Sequence, residues 1–209
     1  RKGLSTVDDS YLLDSFRPVR VVAALFDGFP RPWFVAGGWA IDLFMGVATR
    51  QHVDVELIVL REDQAHLRAH LNHWELSIVE EKEGKKGWAR WDEGQWLAQP
   101  NSLIRAHRTM GDPIEFEVFL EDTHRRLWRF HRDATITRSL EEIGAYSAIE
   151  DIPYFAPEIV LLWKAKFHRP KDEHDFRGAL PRLDSAQRTW LKNALQVHRP
   201  ADPWLAELG

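Results

Sequence analysis

Cysteine is absent from the 209 residues. That excludes a disulfide framework and any thiolate site, and it agrees with a cytoplasmic location. An excess of one charge is also missing: 28 Lys and Arg stand against 32 Asp and Glu, a formal net charge of −4. No global field would draw in a polynucleotide, so charge gives no support to a nucleic-acid partner. No apolar run approaches the roughly 20 residues that span a bilayer. The polar opening RKGLSTVDD lacks the apolar segment of a signal peptide, so no membrane partner is expected. Internal repeats, low-complexity stretches and an obvious flexible linker are lacking as well. What is present is ordinary for a globular protein, with 44% hydrophobic and 29% charged residues, except for ten Trp. Indoles are large and amphipathic, and they serve either as core or as the lining of a cleft.

The stretch that organises the rest is VAGGWAIDLFMGVATRQHVDVELIVL, residues 35–60. It reads as a short strand (33–36), a glycine pair, an apolar helix ended by Gly46, a polar turn, and a second strand (54–60). In a strand, alternate side chains share a face, which puts Asp54 and Glu56 together. Two carboxylates held so close repel, and a proton, a divalent cation or water must relieve them. Gly37 and Gly38, where strand becomes helix, would let the backbone approach a phosphate closely, although a tight turn needs glycine equally. Arg50 and His52 place positive charge just before the acids, or simply belong to a solvated loop.

The flanking sequence supplies a scaffold. Residues 8–28 carry a helical pattern, with Asp8, Asp9 or Ser10 as cap and Pro18 dividing or kinking it. A helix over 61–71 and strands over 74–80, 101–108 and 114–120 extend a mixed sheet. The run IEFEVFL puts Glu115 and Glu117 on one strand face. A solvated face explains that pattern by itself, but beside Asp54 and Glu56 a third carboxylate would complete a metal triad. Residues 80–99 hold both signs of charge and Trp88, Trp91 and Trp96. They predict hairpins and loops whose indoles either stack on a substrate ring or cover one end of the sheet. Residues 121–143 offer polar turns, a strand-like FHRDATITR and no recognisable chemistry. From Pro157 the pattern turns helical, in PEIVLLWKAKFH, RPKDEHDFRGALPRL, SAQRTWLKNALQVH and a closing DPWLAELG. The expected architecture is α+β, a mixed-sheet core over 1–153 with its N-terminal helix, followed by a helical domain over 154–209.

Taken together these residues resemble the nucleotidyltransferase superfamily that includes DNA polymerase β. The similarity is closest to the aminoglycoside 2''-adenylyltransferase and lincosamide nucleotidyltransferase group. It rests on GGWAIDLFMG…TRQHVDVE and on PEIVLLWKAK…RPKDEHDF, and it covers residues 32–208. The resemblance implies transfer of a nucleoside monophosphate, AMP from ATP, to a hydroxyl of a small molecule, with two Mg²⁺ ions and a nucleoside triphosphate as co-substrate. It implies Asp54, Glu56 and Glu117 as metal ligands and catalytic acids, with Glu115 able to replace Glu117. Gly37, Gly38, Arg50, His52, Lys164 and Lys171 fall to the nucleotide. The group's usual second acid is Asp, and this chain has Glu56, one methylene longer. Two other readings stay open: a nucleotide-binding protein with an impaired centre, and a nucleotidyltransferase acting on protein or RNA. An aminoglycoside acceptor would want an acidic pocket, for which Glu80, Glu81, Glu83, Asp92 and Glu93 are available among Lys and Arg; a lincosamide or another hydroxylated molecule fits equally.

Overall fold

The computed structural model describes residues 15–82, 84–109 and 114–209. The proposed caps Asp8 to Ser10 and the apolar Leu12 and Leu13 lie outside them. Helix α1 (Arg17–Leu25) has Pro18 in its first turn and follows a break at Phe16, just after the helical Ser15, where the proline is expected to divide or kink the segment. Next come β1 (Trp33–Val35), α2 (Gly37–Met45) and β2 (Glu56–Leu60). Gly46 ends α2 in the left-handed conformation at φ 68°. A 3-10 turn at Arg61–Asp63 precedes the shorter helix α3 (Gln64–His70). The core continues through β3 (Glu75–Lys82), β4 (Lys85–Arg90), β5 (Leu103–Arg108) and β6 (Ile114–Glu121).

The three short strands β7 (Thr123–His124), β8 (Leu127–Arg129) and β9 (Thr137–Ser139) form a separate small sheet. FHRDATITR is therefore mostly a turn between β8 and β9, stitched by Phe130 N–H to Ile136 O and by Asp133 accepting from Thr135. Strands β10 (Gly144–Tyr146) and β11 (Pro153–Phe155) return to the main sheet. Its order is β10-β11-β1-β2-β6-β5-β3-β4. The β1–β11 and β2–β6 pairs are parallel, and the remaining neighbours are antiparallel. After Ala156 the chain is helical: α4 (Pro157–Lys164), α5 (Pro170–Ala179), α6 (Ser185–His198) and a 3-10 turn at Pro203–Ala206. The fold is thus α+β, a mixed-sheet core followed by a helical region.

Alternation along β6 decides which sheet face is core. Phe116, Val118 and Leu120 are buried, as are Ile104 and Ala106 opposite them on β5. Phe26 at the end of α1 and Trp74 close on Phe116, with ring centroids 5.9 and 5.2 Å away. The opposite alternation sends Glu115, Glu117, Phe119 and Glu121 to the other face, toward the helical region. There Trp163 of α4 stacks on Phe155 at 5.3 Å, and Phe176 of α5 stacks on Trp204 at 4.1 Å. Asp184 caps α6 with a reciprocal bond from Gln187, whose side chain also donates to the buried Glu158.

Candidate active site

Strand β2 starts at Glu56, so Asp54 lies in the preceding loop and not on the strand. The two carboxylates converge nonetheless. Parallel pairing sets Glu56 opposite Glu117 on β6, and one oxygen each of Asp54, Glu56 and Glu117 lies within 4.8 Å of the other two. Glu115 sits two positions earlier, where it faces His107 at 3.5 Å and Arg105 at 3.7 Å. Burial raises the Glu56 carboxyl above its ordinary value, and the charges of Asp54 and Glu117 raise it further. Lys164 and Lys171 act in the opposite direction. Three hard oxygen donors, whose mutual repulsion a cation would relieve, fit a divalent magnesium site.

Glu56 is long for the position the resemblance assigns to Asp, and Gly37 is what accommodates it. A Cβ on Gly37 would stand 1.7 Å from Glu56 Oε2, and the residue has φ +60°. The glutamate tip fills the notch that the missing side chain leaves. Gly38 is close-packed for a different reason: a Cβ there would stand 2.2 Å from Arg50 Nη2 and 2.4 Å from the His52 ring. Each glycine of the pair thus has its own neighbour.

Arg50 and His52 are engaged by protein groups. Arg50 Nε and Nη2 donate to Asp175 Oδ1 and Oδ2, both at 2.8 Å, and this bond raises the guanidinium pKa. His52 Nε2 lies 2.6 Å from Asp42 Oδ2, its ring 4.3 Å from that of Trp39. Asp42 also accepts from Thr49 Oγ1 at 2.8 Å, which fastens the turn to α2. Lys164 is buried between Asp172 at 3.4 Å and Asp175 at 2.8 Å. Burial works to raise both aspartates, yet Arg169 holds Asp172 below its ordinary value, and Arg50 with Lys164 does so for Asp175. Lys171 is exposed in the first turn of α5.

Beside the triad opens a cavity of about 710 Å³ that reaches from Gly37 and Glu56 past Phe119 to Glu121, roofed by Val160 and Trp163. Three of its polar groups come from the region where the sequence showed no chemistry: Glu121, His131 and Arg132. Their signal was faint, a glutamate ending β6 in phase with Glu117 and a His-Arg pair in a turn. Burial pushes the Glu121 carboxyl up to about 8, against the 2.6 Å bond it accepts from Trp128 Nε1. Desolvation first and Arg132 second push His131 down, but this residue is exposed at the cavity, where water screens part of the shift. Arg169, stacked on Phe167 at 5.0 Å, also lines the cavity and was not anticipated.

The Trp-rich segment is divided. Trp91 is buried and donates to Gln95 O, Trp88 lies 3.9 Å under the Arg105 guanidinium, and Trp96 lines a second groove against α3. Of the acids proposed for a cationic acceptor, Glu81 lines the cavity, Glu93 lines the second groove, and Asp92 is exposed 3.9 Å from Arg90. Glu80 belongs to the opposite alternation of β3, and Glu83 lies outside the described residues.

No helix among the described residues is long and apolar enough to cross a membrane. The solution structure of the antibiotic-resistance factor ANT(2'')-Ia superposes with a TM-score of 0.56 at 16% identity, covering 90% of this chain and 95% of that one. A crystal structure of ANT(2'')-Ia in complex with adenylyl-2''-tobramycin gives the same score and identity over 88% and 98%. The lincosamide antibiotic adenylyltransferase LnuA, with lincomycin bound, scores 0.51 at 14% identity over 78% and 94%. At such identities the likeness concerns the fold. No curated sequence gives a match. The family model described as aminoglycoside-2''-adenylyltransferase matches residues 18–144, more than half of the chain, and the chain belongs to that family.

Proposed function

We propose that the protein transfers a nucleoside monophosphate, AMP from ATP, to a hydroxyl of a small molecule. The observation that carries this reading is the convergence of Asp54, Glu56 and Glu117 within 4.8 Å beside the N-terminus of α2. These three carboxylates would hold Mg²⁺, which supplies neutralisation of the triphosphate charge. The rest is the work of the chain's own residues. The free amides at the start of α2 face the place where phosphate oxygens would lie. Lys171, exposed at the start of α5, adds positive charge on the same side, and Arg169, largely paired with Asp172, adds less. Arg50, anchored on Asp175, which Lys164 also holds, fixes the turn that bears Asp54. In the transfer, the acceptor oxygen bonds to the α-phosphorus, the bond to the bridging oxygen breaks, and pyrophosphate leaves. We assign the hydroxyl proton to Glu117, the triad member carried by β6 opposite Glu56.

With ATP, Mg²⁺ and a panel of hydroxylated antibiotics, mass spectrometry should find an adenylylated product, and Asp54→Asn should abolish it. If Asp54→Asn leaves metal dependence and product yield unchanged, the reading fails.

One contact favours the second reading, a nucleotide-binding protein with an impaired centre. Arg105 Nη2 donates to Glu117 Oε1 at 3.0 Å, so the third acid already has a cation. Arg105→Ala should therefore tighten Mg²⁺ binding in calorimetry by roughly fivefold, the scale of one ion pair of about 1 kcal/mol. A wild-type protein that binds nucleotide independently of Mg²⁺ would support the impaired centre.

A further inference from the structure

The charge balance of the cavity beside the triad bears on the chemistry of the acceptor. Resting on the nucleotidyl-transfer reading, we propose that this cavity is the acceptor subsite, and that it takes an uncharged or anionic hydroxylated molecule with an apolar ring face in preference to a polycation. Its volume of about 710 Å³ suits one drug-sized ligand. Apart from Glu56, its acids are Glu81 and Glu121. Glu121 is 4% exposed, bonded to the Trp128 indole and pushed up to about 8, so at neutral pH it is mostly a neutral donor and acceptor. Glu81 thus remains as the fixed negative charge, against Lys86 and Arg132. Lys164 and Arg169 also face the cavity, but their charge is largely met by Asp172 and Asp175.

A ligand bearing several ammonium groups would lose hydration here without gaining carboxylate partners, and each such group costs several kcal/mol when left unpaired. The apolar walls favour the opposite chemistry. Leu103 and Phe119 form a floor on the sheet, and Val160, Trp163 and Phe167 form the other side. Phe167 is 53% exposed, an apolar ring at the cavity edge that a ligand ring would cover. The Trp163 indole N–H has no hydrogen-bond partner among the described residues.

Calorimetry separates the possibilities, with p-nitrophenyl β-D-glucoside as the uncharged aromatic probe and tobramycin as the polycation, with and without Mg²⁺ and a non-hydrolysable ATP. The glucoside should bind at least about tenfold more tightly than tobramycin, and Phe167→Ala should weaken it several-fold. Lys86→Glu, at an exposed position on the cavity wall, should raise tobramycin affinity several-fold relative to the glucoside. The proposal is overturned if tobramycin binds equally or better, if neither probe binds, or if Mg²⁺–nucleotide displaces the glucoside, which would assign the cavity to the nucleobase. Failure of nucleotidyl transfer itself is read separately, from nucleotide binding and the Asp54→Asn comparison.

Discussion

Gly37 and Glu56 act as a unit, because the glutamate oxygen stands where a Cβ at position 37 would be. Gly37→Ala should displace the carboxylate, strain a backbone at φ +60°, and cost about 2–4 kcal/mol in denaturant unfolding together with most Mg²⁺ affinity. The shorter acid in Gly37→Ala/Glu56→Asp should restore the part due to the clash. It should leave the backbone penalty of about 1–2 kcal/mol. Equal destabilisation in the single and double variants would show that the notch is not what the glutamate needs. The glycine pair was legible as a place of close approach, but not what approaches. Sequence spacing pointed to a phosphate, whereas the nearest neighbours inside the protein are Glu56 for one glycine and Arg50 with His52 for the other.

The elements meet at Asp175, on the buried side of α5. It is fully inaccessible and serves Arg50 from the turn before β2 and Lys164 from the end of α4. Asp175→Asn would leave Arg50 without its carboxylate and Lys164 with Asp172 alone, in a largely dry place. The expected loss is about 3 kcal/mol of stability, measured by urea unfolding, with weaker nucleotide binding because the Asp54 turn loosens. A change below about 1 kcal/mol would mean that solvent already screens the network. The elements themselves were largely readable, since β2, β6, α2 and the late helices announce themselves through apolar period and glycine or proline punctuation. Two errors have local physical causes. The strand expected from Asp54 begins at Glu56 because the preceding turn is fastened to Asp42 and Asp175, contacts that no local pattern encodes. FHRDATITR has strand-like composition, but Asp133 and Thr135 bond to each other and close a turn.

For the whole molecule, pH dependence should carry the signature of Glu121. Its folded value of about 8 lies above the ordinary 4.5, so the folded state keeps a proton that the unfolded chain releases. That contribution is complete below 4.5, declines as pH rises, and is gone above about 8. Glu121→Gln mimics the protonated form and removes the decline. The variant should match the wild type near pH 5 and exceed it near pH 9 by a few kcal/mol in thermal or urea unfolding. A constant difference across that range would place the carboxylate in contact with water. Its phase with Glu117 along β6 was the one faint sign of this group in the sequence, because its environment is assembled from β6, β8 and the cavity walls. The bond between Arg50 and Asp175 spans 125 positions of chain. It therefore sets an order of events during synthesis on the ribosome. Strands β1, β2 and β6 can pair on the nascent polypeptide, but the turn bearing Asp54 acquires its anchor only after α5 has emerged, so binding competence is gained last.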